Sequence, residues 1–122
     1  EKAAKIAYKT MEKNIKINLF DVIVSDLTCN LLPRLENKID VLIFNPPYVP
    51  SEKEEMNGVG LSRAWAGGEN GREILDQLLP NIKKLLSPKG VFYLVAVMEN
   101  KPKQIENFLK EFGLKGKMIP KK

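Results

Sequence analysis

The stretch Ile39-Asp40-Val41-Leu42-Ile43-Phe44-Asn45-Pro46-Pro47-Tyr48 decides how the rest of this chain is read. Its first six residues are short, β-branched and aromatic, nearly without polar interruption, and they predict a buried strand. The run stops abruptly at Asn45. Pro46 and Pro47 fix two successive φ angles and remove two backbone donors, so no regular element continues through them. A stiff corner at the carboxyl end of a strand is where open α/β sheets place their ligands. This one offers an amide side chain, two free carbonyls and an aromatic ring, a set able to hold a planar NH2 group.

Working towards the amino terminus, residues 27–38 contain Pro33 and several turn formers and read as a loop or a short helical turn. Residues 17–25 predict another strand, centred on Phe20 to Val24, with Asp26 at its carboxyl end. Residues 1–14 place Ala3, Ala4, Ile6, Ala7, Tyr8 and Met11 among lysines in a helical pattern. That helix starts at residue 1 with no N-cap before it, so the chain reads as cut out of something longer.

On the other side of the corner, residues 49–70 form a 22-residue segment with four glycines, Gly58, Gly60, Gly67 and Gly68. Unstructured segments of this length are uncommon in compact domains and are usually functional or mobile. A short ordered turn is expected at Ser62 to Trp65, and a hinge-like run at Gly67-Gly68-Glu69-Asn70-Gly71. The run lacks the spacing of a dinucleotide-binding glycine loop and does not directly follow a strand.

Residues 72–86 put Ile74, Leu75, Leu78, Leu79, Ile82, Leu85 and Leu86 on one helical face, with Pro80 expected to kink or divide the helix. Ser87-Pro88-Lys89-Gly90 reads as a tight turn and residues 91–98 as a third buried strand. Asn100 and Pro102 open a further helix through Ile105, Phe108, Leu109 and Phe112, stopped by Gly113. Leu114 to Lys122 would start a strand without finishing it. Strands alternating with helices predict one α/β domain over residues 1–122 with a largely parallel sheet.

Composition narrows the chemistry. There is one cysteine, Cys29, and no histidine. Within these residues that excludes an internal disulfide, cysteine-rich metal clusters and histidine catalysis, and no metal site is expected. Cys29 itself reads as a small apolar filler. The low cysteine content points to an intracellular setting, cytoplasmic or also nuclear. The net charge of +5 is carried mostly by lysines near the two ends. Aromatic residues are not interleaved with them, so they read as a solvated surface and not as a single-strand stacking platform.

An amide nitrogen or a nucleobase amino group is a poor nucleophile, because its lone pair is delocalised. To attack a methyl group it must become tetrahedral and take on positive charge. Acceptors on its two N–H groups favour that change. The side-chain oxygen of Asn45 and the carbonyl of Pro46 are candidates. Tyr48 could stack on the flat group and fix its orientation, while Pro46 and Pro47 limit the reorganisation required. Asp26 has two readings, a turn cap or an acceptor for an adenine amino group. Trp65 reads as a packing residue of the long segment.

Asn45-Pro46-Pro47-Tyr48 resembles the signature of the HemK family of S-adenosylmethionine-dependent methyltransferases. Ser25-Asp26-Leu27, the segment Ala64-Trp65-Ala66-Gly67-Gly68-Glu69-Asn70-Gly71-Arg72-Glu73 and the run from Leu85 to Val95 extend the similarity, which is to the eukaryotic, single-domain HemK2-like branch. The resemblance implies a Rossmann-like class I methyltransferase, with helices on both faces of a mostly parallel sheet. It implies methyl transfer to the glutamine amide of the Gly-Gly-Gln motif in a peptide release factor, and a small zinc-binding activator subunit as partner.

On that pattern Asn45, Pro46, Pro47 and Tyr48 would hold the glutamine. Asp26 and Leu27 would contact the cofactor adenine, and Asn45 would face the cofactor as well. The glycine-rich cofactor loop and first strands of the family are not in this sequence. The 122 residues therefore read as the substrate-side part of a catalytic domain. Two other readings share the motif. One is a nucleic-acid amino methyltransferase acting on adenine or guanine, since the corner suits any planar NH2. The other is an inactive fragment kept as a binding module, which would not need Asn45 and Tyr48.

Overall fold

A computed structural model describes residues 2–15, 19–57 and 60–119. The chain divides into two compact units, residues 1–30 and 31–122.

In the first unit, helix α1 spans Lys2–Asn14. Its polar side chains bond back along the helix: the Thr10 hydroxyl donates to the Ile6 carbonyl (2.9 Å) and the Asn14 amide to the Thr10 carbonyl (2.7 Å). The rings of Tyr8 and Phe20 meet with centroids 5.3 Å apart. The strand expected over 17–25 is not formed in its described part, residues 19–25; residues 17 and 18 lie outside the described residues. A strand satisfies none of its own backbone groups, and among the described residues this segment has no ladder partner. Apolar alternation alone does not make one.

The second unit is built on a parallel pair, β1 (Ile39–Phe44) and β2 (Leu86–Leu94). Helix α3 (Glu73–Leu85) connects them, after the short helix α2 (Lys53–Met56), and helix α4 (Pro102–Glu111) follows β2. Val41 to Phe44 lie opposite Val91 to Leu94 in register. Ser87 to Gly90, expected as a turn, lie inside β2, where the register shifts between Ile39 and Val41. The Ser87 hydroxyl donates to the Asp40 carboxylate there (2.6 Å). The expected third strand ends at Leu94, four residues early.

Strand alternation sorts the side chains into two faces. Leu42, Phe44, Phe92 and Leu94 turn towards the helices. They pack on a core of Leu75, Leu78, Leu79 and Ile82 from α3, with Leu86 and Ile105. Val41, Ile43, Val91 and Tyr93 are exposed, Ile43 at 70 %. Both strands are thus half-buried, contrary to the buried strands expected. Within the second unit, α3 and α4 cover one face of the pair.

Pro80 does not divide α3, which runs as one helix from Glu73 to Leu85. Pro80 lies on the exposed side, so the Asp76 carbonyl that it cannot bond stays open to water. The Arg72 guanidinium bonds the Asp76 carboxylate (2.8 Å) and the Gln104 side chain (3.1 Å), tying the start of α3 to α4. Along α4, Lys110 and Lys103 each sit 2.9 Å from the Glu106 carboxylate, and their hydrogen bonds hold its pKa below the ordinary carboxylate range. Gly113 (φ +77°) ends α4 as expected, with the Leu114 N–H donating to the Leu109 carbonyl (3.1 Å). Leu114 to Ile119 form no strand. Among the described residues, no helix is long and apolar enough to cross a membrane.

Candidate functional site

The corner begins where β1 runs out of partners. The Phe44 carbonyl takes the Val95 N–H (3.1 Å), and the next residue, Asn45, is exposed. Among the described residues its side-chain amide makes no hydrogen bond. Pro46 is buried, while Pro47 and Tyr48 are half-buried. The chain is thus anchored at the first proline and presents Asn45 outward.

Pairing resumes immediately after Tyr48. The Val49 N–H donates to the Trp65 carbonyl (3.0 Å) and the Gly67 N–H to the Val49 carbonyl (2.8 Å), a parallel bridge of Val49 with Ala66. The Ser51 N–H donates to the Gly68 carbonyl (3.1 Å), and the Gly68 N–H returns to the Ser51 hydroxyl (2.9 Å). The Glu73 N–H then donates to the Gly67 carbonyl (2.9 Å), joining this brace to the start of α3.

The described residues between 49 and 70 are therefore far more ordered than the composition suggests. Besides α2 it carries single helical turns at Leu61–Ala64 and Glu69–Gly71. Gly67 to Gly71 are no hinge: Gly67, Gly68 and Gly71 are buried. A Cβ at Gly67 would strike the Pro47 carbonyl. One at Gly71, where φ is +66°, would strike the Tyr48 carbonyl. Trp65, expected to pack, is 41 % exposed, and the group that braces the corner is its backbone carbonyl.

Asn100 is the functional candidate that sequence reasoning missed. It ends a single helical turn, Met98–Asn100, and is 1 % exposed. Its side-chain nitrogen donates to the carbonyls of Tyr48 (2.8 Å), Asn70 (2.8 Å) and Gly71 (3.3 Å). Its side-chain oxygen accepts from the Val97 N–H (2.8 Å). Three carbonyls at one end and an N–H at the other fix which way the amide points. From sequence, an asparagine two residues before a proline looks like a helix cap. The bond to Tyr48 spans 52 positions and leaves no local signal.

Asp26 and Leu27 stand in the first unit, Asn45 to Tyr48 in the second. The turn after Asp26 is closed by its backbone carbonyl, which accepts from the Cys29 N–H (3.0 Å), and by the Ser25 hydroxyl, which accepts from the Asn30 N–H (3.3 Å). The Asp26 carboxylate is exposed and, among the described residues, unbonded. Leu27 beside it holds a left-handed φ of +46°. Cys29 is exposed, not the filler expected, because the turn faces it outward.

No protein-family profile matches the chain. Over 94 residues it is 51 % identical to the mouse methyltransferase HEMK2, covering 77 % of this chain and 44 % of that protein. It is 33 % identical over 113 residues to the release factor glutamine methyltransferase of Borreliella burgdorferi, covering 89 % of this chain and 38 % of that one. The fold is similar to a solved complex from E. cuniculi, Mtq2–Trm112, described as responsible for methylation of the translation termination factor eRF1. There the TM-score is 0.59 at 23 % identity, over 90 % of this chain and 65 % of the other. The likeness makes the fold that of a Rossmann-like methyltransferase. The chain spans less than half the length of the mouse relative. With the Asn-Pro-Pro-Tyr corner at the end of β1 and a relative at 51 % identity, the chain belongs to the HemK2-like methyltransferase family.

Proposed function

We propose that this chain carries the acceptor side of a protein-glutamine methyltransferase, whose substrate is the glutamine of the Gly-Gly-Gln motif in a peptide release factor. The observation that carries the reading is Asn45. It is an exposed, unbonded amide, one residue beyond the last ladder bond and immediately before a buried proline. Among the described residues of the second unit, no donor bonds its oxygen. The names of the relatives, among them a release factor glutamine methyltransferase, support the same substrate.

S-adenosylmethionine, when bound, supplies an electrophilic methyl group on sulfur. The chain's own residues act on the acceptor. The Asn45 side-chain oxygen and the Pro46 carbonyl accept from the two N–H groups of the glutamine amide. The nitrogen loses planarity as it attacks, and these acceptors stabilise the positive charge that develops. Tyr48 stacks on the flat amide and aligns it before reaction. Once methylated, the positively charged amide nitrogen is strongly acidic and loses its proton to solvent without a general base. Asp26 offers an unbonded carboxylate for the cofactor's adenine amino group, with Leu27 as its apolar neighbour.

The E. cuniculi protein of like fold is a subunit of a two-protein complex. We extend that arrangement to this chain, with a small zinc-binding activator subunit as its partner and the cytoplasm as its setting. The test is methyl transfer by the full-length protein, alone and with such a subunit, to a release factor and to the same factor with its glutamine replaced by alanine. Transfer that needs the glutamine supports the reading. Methylation of DNA in place of the release factor would favour a nucleic-acid amino methyltransferase.

A further inference from the structure

Three segments far apart in sequence meet at one buried side chain. Asn100 bonds the exit of the corner at Tyr48, the turn at Asn70 and Gly71, and the chain leaving β2 at Val97. No described buried side-chain polar atom lacks a partner, so this network is complete. One of its members and one immediate neighbour adopt left-handed backbone conformations that side chains disfavour. Asn70 has φ +56° and Lys101, directly after Asn100, has φ +52°. Such conformations persist only where the surroundings over-determine them, and they cluster at functional sites. Gly71 admits no Cβ against the Tyr48 carbonyl, so the fit at this point is close.

We propose that Asn100 is a positioning residue for the acceptor site, its amide fixing the Tyr48 carbonyl and through it the Tyr48 ring and the Asn45 and Pro46 acceptors. The proposal rests on the function given above. Pro46 and Pro47 stiffen the entry to the corner by covalent geometry. Tyr48 has no such constraint, and Asn100 supplies one from outside. The amide suits this place because its nitrogen has two hydrogens for clustered carbonyls while its oxygen serves a backbone N–H. An aspartate would turn an acceptor towards those carbonyls.

The experiment compares Asn100→Asp and the smaller Asn100→Ser with Ile82→Val in the full-length protein. Ile82 is a fully buried core residue of α3 outside this network. Amide hydrogen exchange is followed at Val49 and Ser51, and methyl transfer is measured at saturating cofactor, per cofactor-binding site. Exchange at Val49 and Ser51 is expected to rise by about tenfold or more in the Asn100 variants. kcat is expected to fall by roughly tenfold to a hundredfold with cofactor affinity retained. Ile82→Val keeps the wild-type kcat and wild-type exchange at Val49 and Ser51. Wild-type exchange at these amides in both Asn100 variants overturns the proposal, whatever the activity. So does unchanged kcat per binding site, which would make Asn100 purely structural. If the wild-type protein methylates no glutamine, the functional reading fails separately, and exchange alone decides whether Asn100 holds the corner.

Discussion

The side-chain amide of Asn100 donates a 2.8 Å hydrogen bond to the backbone carbonyl of Tyr48, 52 positions earlier in the chain. Removing the Asn100 side chain leaves three carbonyls and the Val97 N–H, most of them part-buried, without their partner, and unsatisfied buried groups cost about 1–3 kcal/mol each. Some of that is recovered by water or by relaxation. Asn100→Ala is expected to lower unfolding stability by about 3 kcal/mol, read from the midpoint of a urea titration at unchanged slope.

Gly71 lies against the same carbonyl. Gly71→Ala combines a left-handed φ of +66° with a collision at Tyr48. It should cost at least about 1–2 kcal/mol in stability and disturb transfer to the acceptor more than cofactor binding. Thermal unfolding and a kcat measurement check both parts. A fully stable, fully active variant would mean that the contact is looser than described.

Pro80 is a stability prediction of the opposite sign. It is an exposed position inside the undivided helix α3 and forfeits one helical hydrogen bond. Pro80→Ala restores that bond, while losing the restriction that proline places on the unfolded chain. The propensity gain is the larger, so stability should rise by about 1 kcal/mol, visible as an increased Tm.

The core offers a calibration. Ile82 has no exposed surface and packs with Leu78 and Leu86 beneath the sheet. Ile82→Ala should cost about 2–5 kcal/mol by urea unfolding. Transfer per folded molecule should stay largely intact, because the Ile82 side chain makes none of the hydrogen bonds that brace the corner.

How much could be read from sequence follows from the range of the interactions. β1, α3, α4 and the corner itself rest on local signals: a β-branched run, an apolar helical face, a proline start with a glycine stop, and two prolines in succession. The strand expected around Phe20 to Val24 failed because a strand depends on its partner. The segment from Val49 to Gly71 looked loose because glycine composition records freedom, not use. In the fold, Gly67 and Gly71 permit close backbone approach to Pro47 and Tyr48. Asn100 was invisible because its partners are backbone groups, which carry no side-chain identity for a sequence to display.

The central claim is that Asn45 holds a planar amide during methyl transfer. Its most direct test is Asn45→Ala in the full-length protein, assayed for methylation of the release factor glutamine beside a calorimetric titration with S-adenosylmethionine. Loss of one acceptor aimed at the transition state is expected to lower kcat by about a hundredfold to a thousandfold, with cofactor binding largely retained. Near-normal turnover by the variant would contradict the account.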